Sequence, residues 1–315
     1  MMLDEGFVDF DLEVNGVRIA GAMSADADAT DGAATATTAT TTAGEKPALL
    51  LLHGHPENHL MWHRVAPQLI EELTLVMPDL RGYGRSSRPE SGDDHSAYSN
   101  RIMAADAVAL MERLGHSSFV VCGHDRGARV AARMAADHPD RVRRVLLLDV
   151  APTLRMYENT TRAFAEAYWH WFFLIQPAPM PEMLIGADAK AYIEGLMGAR
   201  HAGLAPFPRE VLDSYAEGLR GADRARGICE DYRASAGIDL DHDRADIAAG
   251  RLIEPELRVL WARHGVIERL FDPLSLWGEV ARSVSGHVVD CGHYLPEEAT
   301  AEVVAEIRSF LGSAA

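Results

Sequence analysis

Apolar and polar residues alternate over 7–14, FVDFDLEV, which is the period of a strand with one buried face. Asn15–Gly16 then predicts a two-residue hairpin turn into VRIAGAM. The next pattern is different. ALLLLHG at 48–54 is an unbroken apolar run that ends on glycine, and TLVMPDLRG, FVVCGHDRG and RRVLLLDVAP have the same form. Such runs predict strands buried on both faces, as in a parallel sheet. Between them HLMWHRVAPQLIEEL, NRIMAADAVALMERLG and ARVAARMAADHP carry apolar residues at helical spacing. Strand and helix in alternation predict a mostly parallel sheet flanked by helices.

After Pro152 the alternation stops. Residues 153–254 contain helix-like segments and no convincing buried strand. The alternation resumes with LRVLWARHG (257–265), a helix bearing Leu276 and Trp277, VSGHVVDCGH (284–293) and a closing helix from Pro296. The expected organisation is therefore an α/β core made of residues 1–152 and 255–315, with a helical cap inserted at 153–254. Residues 24–46 are low-complexity Ala, Thr and Asp with little to bury, and they predict a surface loop. Within 239–250, DLDHDRADIAAG opens like a calcium loop, but Arg244 and Gly250 stand where Gly and Glu are needed. An acidic surface loop is expected there.

Charge narrows the chemistry. A formal net charge of −17 argues against nucleic acid as a partner, and it means that an anionic substrate needs locally placed cations. Those cations are arginines almost throughout, since Lys46 and Lys190 are the only lysines. No apolar run approaches the roughly 20 residues of a membrane span, and the acidic start MMLDEGFVDF has no export core. Cys122, Cys229 and Cys291 are scattered and odd in number, which fits a reducing compartment. A cytoplasmic protein with no membrane partner is expected.

The informative stretch is GHDRG, residues 123–127, at a strand end and a helix start. It has the spacing of the G-x-S-x-G nucleophile elbow of α/β-hydrolases, with Asp125 in the serine position. An elbow serine needs a base to remove its proton. An aspartate is already anionic at pH 7 and suits attack on a saturated carbon that bears a leaving group. The resulting alkyl ester must be cleaved by water, which calls for a general base and a group to orient it. His293, just after the last strand, is placed for the base. For the acid the candidates are Asp149, at the end of LLLDVAP, and Glu268, well past the end of the strand after the cap; the strand terminus favours Asp149. The backbone N–H groups of His55, in HGHPE, and of Arg126 are the expected oxyanion donors. Arg126 and Arg129, three residues apart on one helix face, are placed to hold a substrate carboxylate.

HGHPENHLMWHRVAPQL, DLRGYGRSS, GHDRGAR, YWHW and DYRA together resemble the fluoroacetate dehalogenases, over nearly the whole chain apart from 24–46. The resemblance implies hydrolysis of short 2-haloacids through an aspartyl ester, with no cofactor or metal and with a haloacid as the small-molecule partner. It implies that His170, Trp171 and Tyr232 cradle the departing halide, and that Arg126 and Arg129 take the carboxylate. Imidazole and indole N–H and phenol O–H are donors of the kind a poor leaving group such as fluoride requires. A homodimer is also implied. The family pattern includes a Trp in mid-cap that narrows the pocket; here no Trp lies between Trp171 and Trp261, and LMGARHAG (196–203) suggests a more open one. Soluble epoxide hydrolases share the elbow aspartate, and Tyr168 and Tyr232 are available to protonate an epoxide, but a neutral epoxide leaves the Arg pair unused. His59 and His63 have metal-pair spacing without the Glu of H-E-x-x-H or a nearby third ligand, so no metal is expected there.

Overall fold

Eight strands form one sheet in the computed structural model, which describes residues 3, 6–25 and 46–312. The hairpin comes first: β1 (Phe7–Val14) pairs antiparallel with β2 (Val17–Ser24). Asn15 and Gly16 both have positive φ, 50° and 76°, which a turn of this type requires and which these two residues tolerate. The chain then lays down β3 (Ala48–Leu52), β4 (Thr74–Pro78), α1 (Asn100–Arg113), β5 (Phe119–His124), α2 (Arg126–Asp137) and β6 (Val142–Leu148). After the long helical section come β7 (Glu256–Ala262), α11 (Val266–Leu270), α12 (Pro273–Gly278), β8 (Val284–Val289), α13 (Leu295–Glu298) and α14 (Thr300–Gly312). The sheet order is β1-β2-β4-β3-β5-β6-β7-β8, parallel from β4 onward. The unbroken apolar runs are explained by this placement. β3 and β5 lie centrally, and every residue of both is buried.

The helical section between β6 and β7 comprises α3 (Thr153–Glu158), α4 (Arg162–Ala167), α5 (Trp169–Leu174), α6 (Met180–Ala187), α7 (Ala189–Gly198), α8 (Arg209–Glu217), α9 (Ala222–Ala236) and α10 (Ile238–Ala248). No strand is assigned among these residues. The long helix α9 is buried along Ile228–Ser235 and brings Asp231 and Tyr232 down onto the core.

Two expectations fail locally. HLMWHRVAPQLIEEL is not an α-helix; His59–Arg64 and Ala66–Gln68 are short 3₁₀ turns. Pro67 lacks an N–H and interrupts any longer ladder. Residues 239–250 are not a loop: α10 runs through most of them, and Asp239 and Asp241 in its first turn suit the positive helix end. Residues 26–45, most of the expected loop, lie outside the described residues. Among the described residues, no helix is long and apolar enough to cross a membrane.

Candidate active site

The turn from β5 into α2 builds the centre. Asp125 sits at φ 46°, a strained setting for a residue with a Cβ, between strand and helix. The flanking glycines make the turn possible. A Cβ on Gly123 would come within 2.4 Å of the Gly127 carbonyl oxygen, and one on Gly127 within 2.5 Å of those of Leu52 and His53. The Asp125 carboxylate is buried, and the backbone N–H of His55 donates to its Oδ1 at 3.1 Å. Oδ2 carries no hydrogen bond among the described residues. Burial alone would raise the pKa of this carboxyl. His293, Arg129, His124 and Arg126 outweigh it and hold Asp125 below the usual carboxylate range, hence ionised.

His293 follows β8, and its Nδ1–H donates to Asp149 Oδ2 at 2.6 Å. Asp149 Oδ1 accepts from the Ala262 N–H at 2.9 Å, so both carboxylate oxygens are fixed. Like Asp125, Asp149 has positive φ, 51°, at the end of its strand. Glu268, the alternative acid, is instead bound to the indole N–H of Trp261. The oxyanion donors expected at His55 and Arg126 are both at the elbow: the first is the amide on Asp125 Oδ1, and the second is the first amide of α2, which has no acceptor within the helix.

The two arginines are not equivalent. Arg126 is clamped by Asp231, with Nε on Oδ2 at 2.8 Å and Nη2 on Oδ1, and by Ser235 Oγ at 2.9 Å. Arg129 meets only neutral atoms: Thr153 Oγ1 at 2.6 Å, the Ala151 carbonyl at 3.1 Å and Met156 Sδ at 3.3 Å. Its Nε is buried with no partner, and Asp137 is taken by Arg101 and Arg133. Burial lowers the pKa of both guanidiniums. Asp231 reverses this for Arg126, whereas Arg129 stays lowered, with Arg126 beside it adding to the effect.

The cap supplies an aromatic wall. The His170 and His55 rings stack at 5.9 Å between centroids, Tyr232 lies 6.0 Å from His170 and 6.3 Å from Trp171, and the Arg129 guanidinium stands 4.8 Å from the Trp171 ring. His170 Nδ1, Trp171 Nε1 and the Tyr232 hydroxyl are all buried without a hydrogen-bond partner among the described residues. Three orphaned polar atoms on one wall would be costly in an unused core, since each forfeits its hydration. Burial, then Arg200 and His55, push the His170 imidazole well below its ordinary pKa, so the ring is neutral with a single N–H.

Sequence reasoning overlooked several neighbours. Glu57 is buried against His124, Oε2 to Nδ1 at 3.1 Å, and His124 Nε2 reaches the His293 carbonyl at 2.8 Å. Burial pushes the Glu57 carboxyl up to about 8, with His293 opposing and Asp125 adding. Tyr192 bonds the His55 ring at 3.1 Å. Asp231 was legible only as part of DYRA, and Arg200 was hidden inside a run of small residues. The histidine pair at 59 and 63 has structural partners: His59 bonds Asp79 at 2.7 Å and His63 the Leu60 carbonyl at 2.9 Å.

The profile of the alpha/beta hydrolase fold family matches residues 47–180. A fluoroacetate dehalogenase from Burkholderia is 42% identical over 88% of this chain and 91% of its own length. A soluble epoxide hydrolase from Corynebacterium is 33% identical over 82% of this chain and 87% of its own. Among solved structures, an α/β hydrolase from Nostoc superposes with a TM-score of 0.86 at 43% identity, covering 99% of both chains. The fold, the aspartate elbow and these similarities agree: the chain belongs to the fluoroacetate dehalogenase family of α/β hydrolases.

Proposed function

We propose that this enzyme hydrolyses the carbon–halogen bond of short 2-haloacids, fluoroacetate among them, and releases a 2-hydroxy acid and halide. The observation that carries this reading is the trio of unpartnered buried polar atoms on His170, Trp171 and Tyr232, set beside an ionised Asp125 and an unmatched Arg129. The substrate carboxylate meets Arg129, whose guanidinium forms no ion pair with a carboxylate among the described residues. Asp125 Oδ2 attacks C2; the new C–O bond forms as the C–X bond breaks, and the halide leaves with the electron pair toward the cap donors. Water then adds to the ester carbonyl carbon of Asp125. His293 takes the water proton and is held in orientation by Asp149. The amides of His55 and Arg126 stabilise the oxyanion. Collapse frees the hydroxy acid and restores the carboxylate, so the balance is haloacid plus water to hydroxy acid, halide and a proton.

Epoxide hydrolysis is the second reading. The similarity to the Corynebacterium enzyme and the buried hydroxyls of Tyr168 and Tyr232 favour it. Incubation with fluoroacetate and with styrene oxide separates the two. Fluoride release without diol is expected, and diol without fluoride would overturn the haloacid reading.

A further inference from the structure

The stretch LMGARHAG does more than open the pocket. α7 ends at Gly198, and the chain turns back with the Gly203 N–H on the Arg200 carbonyl at 3.0 Å. The turn is seated on the loop that carries His293. The His201 ring stacks on His264 at 4.0 Å, and a Cβ added to Gly292 would come within 2.9 Å of the His201 Cβ. The seating directs Arg200 inward. Its guanidinium stands 5.1 Å from the ring centroid of buried Tyr168, which itself packs 5.5 Å from His170.

Arg200 has no hydrogen bond or ion pair from its side chain among the described residues. The chain carries 47 acidic and 30 basic residues, so acidic partners are plentiful. Buried Arg233, elsewhere in the cap, is matched, with Glu182 at 2.6 Å and Glu230 at 2.7 Å. The charge of Arg200 is felt by Asp125, Asp149, His55 and His170, which belong to the candidate site. Arg129 is the unmatched cation on the core side of the pocket, and Arg200 is its counterpart from the cap.

We propose that Arg200 is a second anion-binding group of this pocket and selects 2-halo dicarboxylic acids, whose first carboxylate meets Arg129 and whose second meets Arg200. The proposal rests on the haloacid reading above. A planar guanidinium matches a carboxylate by paired charge-assisted hydrogen bonds. With C2 at Asp125 and C1 at Arg129, a further carboxylate on the substituent at C2 is the group left for Arg200 on the cap. The shortest substrate with separated carboxylates of this kind is a 2-halosuccinate. The bonds made and broken are those of the monocarboxylate reaction, so no further reactant is needed.

The experiment compares 2-chlorosuccinate with 2-chlorobutyrate, which has the same chain length and one carboxylate fewer. Wild-type kcat/KM should favour the dicarboxylate by about tenfold or more, a difference of ~1.4 kcal/mol. R200L should erase that preference, and R200K should restore part of it, which also covers the case in which leucine unseats the turn. Equal proportional losses on both acids would overturn the proposal. Calorimetric titration with succinate and with butyrate needs no turnover. Succinate should bind about tenfold more tightly, a margin lost in R200L. If neither chloro acid releases chloride, the haloacid reading fails, and the titration alone then decides Arg200: a succinate preference that depends on Arg200 supports the subsite, and its absence overturns it.

Discussion

The acid–base pair of the core and the aromatic wall of the cap are finished to different degrees. On the core side Asp149 has both oxygens engaged, His293 is locked to it at 2.6 Å, and the His55 amide already rests on Asp125. On the cap side His170 Nδ1, Trp171 Nε1 and the Tyr232 hydroxyl are buried with nothing to bond. Groups that must keep one geometry through every step are saturated by protein partners. On the proposed haloacid reaction, the groups left open are those whose partner arrives with the substrate, at a desolvation cost of about 1–3 kcal/mol each. The arginines repeat the contrast. Arg126 is neutralised by Asp231 and stiffens the junction of α2 with α9, whereas Arg129 has only neutral hydrogen-bond partners among the described residues.

Breaking the saturated side should have the largest effect. His293→Asn removes the base that activates water but leaves alkylation possible, so the ester should accumulate and turnover should fall by about 10²–10⁴-fold. Intact-protein mass spectrometry after exposure to fluoroacetate should show one added carboxymethyl-sized group, absent in Asp125→Asn. An unmodified His293 variant that still binds substrate would count against attack by Asp125.

The open side should yield smaller and more selective losses. Chloride leaves more readily than fluoride and needs less help from donors. His170→Ala, Trp171→Phe and Tyr232→Phe should each slow single-turnover alkylation by fluoroacetate about tenfold more than by chloroacetate, which corresponds to ~1.4 kcal/mol in the transition state. If each variant slows both acids in the same ratio, these side chains pack the cap and do not solvate the halide.

The smallest effect concerns the support behind His293. Glu57 is held protonated in the fold up to about 8, against an ordinary 4.5. A group whose pKa rises on folding gives its full stabilisation below the unfolded value, and that stabilisation is lost as pH climbs through the folded one. Wild-type stability should therefore decline between pH 5 and pH 8. Glu57→Gln, neutral throughout, should flatten that decline, which is read from Tm measured across pH 5 to 8 in both proteins. An unchanged slope would mean that Glu57 is ionised across the range.

Much of this was legible along the chain because it depends on local pattern. Continuous apolar runs that end in glycine marked the parallel strands, and G-x-D-x-G between a strand and a helix marked the elbow, since only Gly at 123 and 127 leaves room for the turn. The 3₁₀ turns at 59–68 and the helix α10 were misjudged because short segments take their form from what packs on them more than from their own propensity.

By itself the sequence determined the alternation of strands and helices, the aspartate at the elbow, the position of His293 after the last strand and the local supply of arginine in an acidic chain. These follow from periodicity, turn sterics and charge, which need no knowledge of distant neighbours. Which cations remain unmatched and which donors remain open is settled by contacts between distant parts of the chain. Asp231 reaches Arg126 across 105 residues and Asp149 reaches His293 across 144. Whether a buried charge is spent or available depends on its partners in space, and chain folding alone brings those partners together.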